Sequence, residues 1–392
     1  MISSSERNMS PNMKSYEQSI HTGVKLTHTR RAEARGERSL PSGTVVVSAD
    51  NHWSLAEDIF FERFPDHLRD RAPRFLRDSA GACHWVVDGK SLFPASLARS
   101  LADFERVPGC TELEPRLRDL DIEGVDKELN FGNGILAFLG FPDLEVREWV
   151  FRIYNQHLSE VQTRAPGRFY GVGLINYWDM SKTAASIAEL KELGLKTYLL
   201  PQNPMGADSR ALNYCLPEME PLWLAAEEAA LPVCFHVGEF FREGPGGVGT
   251  AAMVQFGAFR KNLGELIFGG IFDRHPRLHV VFVEAEINWV PGALQTADMT
   301  YECYRDLIEP KIRHHPVHYW QNNCFATFTS DPVGLKLLDQ IGVDRVMWSA
   351  DYPHPESMFG RNWTSMQAVV DAVSEDDARK MLGGTAMKLF NL

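Results

Sequence analysis

Short apolar or β-branched runs punctuate the chain from residue 44 onward. They are TVVVSA (44–49), KELNFG (127–132), FYGVGLI (169–175), KTYLLP (196–201), PVCFHV (232–237), LHVVFVE (278–284), NCFATF (323–328) and RVMWSAD (345–351). Between most of them lie stretches such as DMSKTAASIAELKELG and EPLWLAAEEAAL, where apolar residues recur at helical spacing. Strand–helix alternation implies parallel pairing. Eight such units predict an α/β chain folded as a closed (β/α)8 barrel, the TIM-barrel architecture. The main rival, a doubly wound open sheet, calls for a glycine-rich phosphate turn after an early strand, and SADNHW at 48–53 has none.

Two gaps break the rhythm. Residues 53–126, after the first run, are too many for an ordinary connection. They predict a long insertion over the barrel mouth, with short helices and a hairpin near Gly89. Residues 238–262 (GEFFREGPGGVGTAAMVQFGAFRKN) predict a flexible loop after the fifth strand. Residues 1–40, including HTRRAEARGERS, lack apolar periodicity and predict a mobile N-terminal tail, leaving 41–392 as the barrel domain.

Charge narrows the partners. The 40 Lys and Arg against 52 Asp and Glu give a net charge of −12, which argues against nucleic acid and anionic membrane surfaces. No apolar window is long enough to span a bilayer, and the N-terminus has no signal-peptide core. The six scattered cysteines form no CxxC pair; Cys234, Cys303 and Cys324 read as reduced, buried thiols of a cytoplasmic protein.

Barrel enzymes carry reactive side chains at the C-terminal ends of their strands. Here those ends supply Asp50 and His52, then His236, Glu284 with Glu286 beyond, and Asp351 with His354 beyond. The remaining ends supply Asn130, Asn176, Gln202 or Asn203, and Thr327 or Thr329. Residues two apart on a strand share a face, so Asp50 and His52 aim together into the mouth. With His236 and Asp351 they make two imidazoles and two carboxylates, a donor set for one divalent ion, Zn²⁺ or Mn²⁺. On the residues alone, Asp50 as a helix cap and Glu284 as an arginine partner stay open.

The strings SADNHW…RFPDHLRDRAPRF, RLRDLDIEGVD, PLWLAAEEAALPVCFHVGE, LIFGGIFDRHPRLHVVFVEAEINWVP and VMWSADYPHPES give the chain a family resemblance. From about residue 44 to the C-terminus it resembles the amidohydrolase-related family, which includes aminocarboxymuconate-semialdehyde, γ-resorcylate and 5-carboxyvanillate decarboxylases. The resemblance implies a (β/α)8 barrel with one divalent metal, His236 and Asp351 matching its fifth-strand histidine and eighth-strand aspartate. The family's first-strand His-x-His or Glu-x-His is Asp50-x-His52 here. The histidine that follows strand six in the semialdehyde decarboxylase is missing; Glu284 falls near its place.

Two chemistries follow from that resemblance. One is non-oxidative decarboxylation of an aromatic or conjugated acid; the other is hydrolysis of an amide, lactone or C–C bond by a metal-bound water. A third reading is an inert barrel that binds ligand without turnover. Asp351, His236 and His354 are the expected catalytic residues, with Asp351 moving the proton. Glu284, His84, Trp289 and Phe240 are expected to face a small-molecule acid, ester or amide, in a homodimer or higher homo-oligomer.

Overall fold

The computed structural model describes residues 31–392 except 57, 78, 80–82, 88, 93–106, 240–243, 256, 258 and 355–356. Strand β1 (Val47–Trp53) opens the main sheet, while β2 (Arg74–Arg77), β3 (Cys83–Val87) and β4 (Lys90–Ser91) form a separate antiparallel unit. The main sheet continues with β5 (Lys127–Gly132), β6 (Phe169–Leu174), β7 (Thr197–Leu200) and β8 (Val233–His236). It ends with β9 (Val280–Val283), β10 (Cys324–Phe328) and β11 (Val346–Trp348). Its order is β1-β5-β6-β7-β8-β9-β10-β11, with every neighbouring pair parallel. All eight expected runs are strands, helices intervene, and the sheet curls into a (β/α)8 barrel.

Every residue of β9, β10 and β11 is buried, because the inner face fills the barrel and the outer face meets helices. Phe282 on β9 shows the outer layer, with its ring 5.5 Å from that of Trp289 and 6.4 Å from that of Trp320. The seam between β11 and β1 closes beyond the end of β11. Asp351 N–H donates to Asp50 O (2.9 Å), His52 N–H to Tyr352 O (2.6 Å), and Ala350 N–H to Ser48 Oγ (2.8 Å). The last strand is therefore shorter than its apolar run, and Asp351 stands past its end.

Near the barrel mouth, the hairpin β3–β4 turns at Gly89, whose φ of 72° suits a residue without Cβ. Trp85 anchors the hairpin, with its ring 5.2 Å from that of Phe60 and 6.1 Å from that of Phe138. Phe138 lies in the turn that leaves β5, so the insertion sits at the C-terminal end of the strands. The segment expected as a flexible loop at 238–262 is partly helical, at Gly247–Gln255 and from Phe259 onward. TAAMVQ includes the good helix formers Ala, Met and Gln, and the turn just before the helix carries Gly244 and Gly246, at φ 88° and 73°. Cys234 and Cys324 are buried as expected, but Cys303 is exposed, on the solvent side of the helix Trp289–Tyr304.

Residues 1–30 of the expected tail lie outside the described residues. Residues 31–40 run along the barrel wall, where Glu33 N–H donates to Glu123 Oε1 (2.6 Å) and Arg35 lies 5.7 Å from the Trp363 ring centre. Among the described residues, no helix is long and apolar enough to cross a membrane.

Candidate metal centre

Six side chains from four strand ends converge at the mouth. They form two overlapping groups, Asp50–His52–His236–Glu284 and His52–Glu284–Asp351–His354. The first strand makes this possible through a register shift between Ser48 and Asn51, where β1 holds one residue more than β5. Such a bulge re-aims side chains at the rim of a barrel. Asp50 lies inside β1 and caps no helix.

The donor atoms stand close together. His52 Nε2 is 3.5 Å from Asp50 Oδ1 and 3.1 Å from Asp351 Oδ1, while His236 Nε2 is 3.4 Å from Asp50 Oδ1 and 3.1 Å from Glu284 Oε2. His52 Nε2 to Glu284 Oε2 is the widest of these edges, at 3.9 Å. Bonds of about 2.1 Å to one ion set neighbouring donors about 3.0–3.4 Å apart, so three of the five edges have the spacing of a shared cation and a fourth, at 3.5 Å, lies just beyond it.

Burial gives an independent test of the fit. Asp50 is 0% and Asp351 1% exposed, yet neither oxygen of either carboxylate makes a hydrogen bond, nor does Nε2 of His52 or His236. Buried charges without donors are costly unless a cation is close. The set of imidazoles and carboxylates suits Mn²⁺ or Zn²⁺ and gives no reason to favour Ca²⁺, which prefers all-oxygen shells. His236 Nδ1 lies 2.6 Å from its neighbour's carbonyl, Val237 O, so Nδ1 carries the hydrogen and Nε2 offers its lone pair. Burial first, and then His354, holds the His52 imidazole well below its ordinary pKa and therefore neutral, as a ligand must be.

Backbone strain accompanies the donors. Glu284, Glu286 and Asp351 have φ of 65°, 54° and 55°, a region that side chains other than glycine seldom adopt. Neighbours hold them there. Thr327 Oγ1 accepts from Glu284 N–H (3.0 Å), and Glu286 accepts from Thr329 Oγ1 (2.7 Å). Burial, then Asp331, pushes Glu286 up to about 7.

Behind β1 lies a second layer that the sequence reading missed. Arg116 and Glu128, both 0% exposed, pair through two hydrogen bonds of 2.7 Å. Arg116 also donates to Asn130 Oδ1 (2.6 Å) and to the carbonyls of His52 (2.8 Å) and Gly109 (3.1 Å). Glu128 Oε2 accepts from Asn51 Nδ2 (2.6 Å), and Asn51 Oδ1 receives Tyr352 N–H (2.9 Å). One connected set thus fixes the backbone on both sides of the seam. A Cβ on Gly109 would lie 2.2 Å from Tyr352 Oη and 2.8 Å from Arg116 Cα, so only glycine fits there. A usable signal was Glu128, a charged residue inside an otherwise apolar run.

The structure sorts the expected site residues. Asp50, His52, His236, Asp351 and His354 come together, and Glu284, expected to face substrate, stands among the donors. Trp289 does not reach the mouth. It packs outside the barrel against Phe282 and Trp320, with Nε1 donating to Glu286 O (3.1 Å). Its ring follows the helix that begins at Trp289, whose apolar face covers β9. His84 lies on β3 opposite Leu76, and Phe240 is outside the described residues. Of the other strand-end residues, Gln202 Nε2 donates to His236 O (2.7 Å) and so positions a donor.

An eight-stranded parallel barrel with imidazoles and carboxylates converging at its C-terminal mouth defines a metal-dependent barrel protein. The chain belongs to the amidohydrolase family, whose model, described as Amidohydrolase, matches residues 85–392. It is 25% identical over 298 residues to the 2-amino-3-carboxymuconate-6-semialdehyde decarboxylase of Dictyostelium discoideum, covering 72% of this chain and 77% of that one. It is 26% identical over 311 residues to the γ-resorcylate decarboxylase of Rhodococcus jostii, covering 73% and 92%. A crystal structure of a dihydroxybenzoic acid decarboxylase from Polaromonas, with bound manganese and the inhibitor 2-nitroresorcinol, shares the fold. Its TM-score is 0.66 at 18% identity, over 89% of this chain and 97% of that one.

Proposed function

We propose that this chain is a metal-dependent, non-oxidative decarboxylase of an aromatic or conjugated carboxylic acid. One joint observation carries the reading. A buried set of carboxylates and imidazoles shaped for one cation stands in a chain that aligns with decarboxylases over 72–73% of its length.

Asp50, His52, His236, Glu284 and Asp351 would hold the ion, Mn²⁺ or Zn²⁺. When bound, it supplies positive charge that binds the substrate carboxylate and an adjacent oxygen. The chain's own groups do the rest. Phe131, buried and with its ring 4.7 Å from that of His236, keeps water from the inner wall of the pocket. Loss of CO₂ leaves an electron pair on the substrate carbon, which must take up a proton. We assign that delivery to Asp351, whose Oδ1 lies 3.0 Å from His354 Nδ1.

The test is a metal analysis joined to a substrate screen. Protein loaded with Mn²⁺ or Zn²⁺ is offered hydroxybenzoates, conjugated acids, lactones and amides, with CO₂ release and acid production followed separately. CO₂ release from an aromatic or conjugated acid supports the reading. Acid production from lactones or amides without CO₂ release refutes it, and so does protein that retains no stoichiometric metal. We further place the protein in the cytoplasm as a homo-oligomer. Its charge of −12 and its scattered cysteines, which form no CxxC pair, support the first point. The exposed Met299 and Leu307, 59% and 80% accessible, support the second, which light scattering tests.

A further inference from the structure

His354 enters the mouth from the turn after β11 and lies flat on His52, ring centres 3.7 Å apart and planes 20° from parallel. Its two nitrogens meet different surroundings. Nδ1 is 3.0 Å from Asp351 Oδ1 and 4.0 Å from Glu284 Oε1, whereas Nε2 is 2.9 Å from Oδ1 of Asn133.

Asn133 is 7% exposed, on the turn that leaves β5, and its backbone N–H donates to Trp53 O (3.0 Å). Its Nδ2 donates to Ser54 Oγ (2.9 Å) and points to Cys110 Sγ (3.4 Å). Ser54 and Cys110 are tied in turn, by Ser54 N–H donating to Cys110 O (2.9 Å). With Nδ2 committed to two acceptors, the atom left facing His354 is the amide oxygen, which can only accept. His354 must then carry its hydrogen on Nε2. A neutral ring in that form presents an unprotonated Nδ1 to the pocket.

We propose that Asn133 is a positioning residue for His354, fixing the tautomer and ring orientation in which Nδ1 faces Asp351. So held, the ring keeps Nδ1 toward Asp351 Oδ1 and its face on His52 without turning over. The consequence for turnover rests on the decarboxylase reading; the tautomer does not.

Two substitutions separate the role from simple packing. Asn133→Ala removes the acceptor, while Asn133→Asp keeps an acceptor oxygen in the same place. In metal-free protein labelled with ¹⁵N-histidine, the His354 signals are identified by their absence from a His354→Gln variant. Wild type and Asn133→Asp are expected to show the hydrogen on Nε2, and Asn133→Ala a mixture of both tautomers. On an acid found by the screen, Asn133→Ala should lose roughly 10- to 100-fold in kcat, with KM and metal content little changed, and Asn133→Asp should recover most of the loss. A wild-type ring with its hydrogen on Nδ1 overturns the proposal, as does a folded Asn133→Ala whose tautomer is unchanged. If Asn133→Ala does not fold, the wild-type and Asn133→Asp spectra decide. If no acid is decarboxylated, the functional reading fails while the tautomer measurement still decides this one.

Discussion

Replacing Arg116 with Met tests whether the buried pair behind β1 is a structural requirement of the site. Methionine keeps an apolar stem between the rings of Trp53 and Tyr352, which lie 5.6 and 4.7 Å from the guanidinium. It removes the guanidinium's own hydrogen bonds to Glu128, Asn130, His52 O and Gly109 O. The dominant cost is the Glu128 carboxylate, 0% exposed and left with Asn51 as its side-chain donor. Removing one partner of a buried pair costs about 3–5 kcal/mol. An unfolding entropy of about 0.7 kcal/mol/K, for a barrel of roughly 350 residues, converts that to a fall in Tm of about 4–7 °C. The assay is calorimetry of metal-free protein, on Arg116→Met and on the double variant Arg116→Met/Glu128→Gln. Glutamine removes the stranded charge and keeps an acceptor for Asn51, so the double variant should regain at least half of the lost Tm. A double variant no more stable than the single one would refute the argument that the unpaired carboxylate is what costs.

Three further outcomes are expected. His236→Ala removes a donor that lies 3.4 Å from Asp50 and 3.1 Å from Glu284, and should abolish stoichiometric metal retention; full metal content by elemental analysis would contradict the site. Asp351→Asn leaves Asp50, His52, His236 and Glu284 in place, so it should keep metal while turnover falls on the order of a hundredfold. Turnover preserved within a few-fold would pass the proton role to another group, with His354 the first suspect. His157, whose Nε2 receives Trp53 Nε1–H (3.0 Å), is pushed down to about 4 by burial and then by Arg63. A histidine held below its ordinary value of about 6.5 resists protonation in the folded state. Its contribution to stability is therefore full above that pH and lost as pH falls toward 4. His157→Gln keeps an acceptor for Trp53 without titrating, so the decline of Tm between those pH values should be shallower than in wild type. Parallel curves would sink the assignment.

The architecture was legible because parallel barrel strands are buried on both faces and so appear as apolar runs. Each ends in polar residues where the chain reaches the mouth. Their limits were not legible to the residue. The run 345–351 reads as one strand, but only Val346–Trp348 pairs regularly, since the following N–H groups turn to Phe328 O and Asp50 O. Trp289 misled for a related reason. An aromatic just past a strand end has the composition of a pocket wall, whereas the helix that starts there turns it outward onto Phe282.

Within the site, what could be read was chemistry carried by single residues, and what could not was chemistry created by pairs. Asp50, His52, His236 and Asp351 announce themselves because each is polar at the end of an apolar run. Arg116 does not, since an arginine in RLRDLD is indistinguishable from the exposed Arg118 two residues on until the fold sets it against Glu128. Asn133 is hidden in the same way, because its role depends on Ser54 and Cys110 turning its amide toward His354. Even the two-residue spacing of Asp50 and His52 was only half an answer. Strand alternation puts both on one side, but equivalent atoms two residues apart on a regular strand lie about 6.5–7 Å from each other. The 3.5 Å between Asp50 Oδ1 and His52 Nε2 comes from side chains converging next to the extra residue in β1. That extra residue is in turn held by Ser48 Oγ, which donates to Asp50 O and receives Ala350 N–H from across the seam. The motif supplies the donors; closure of the barrel brings them to the distance of a shared ion.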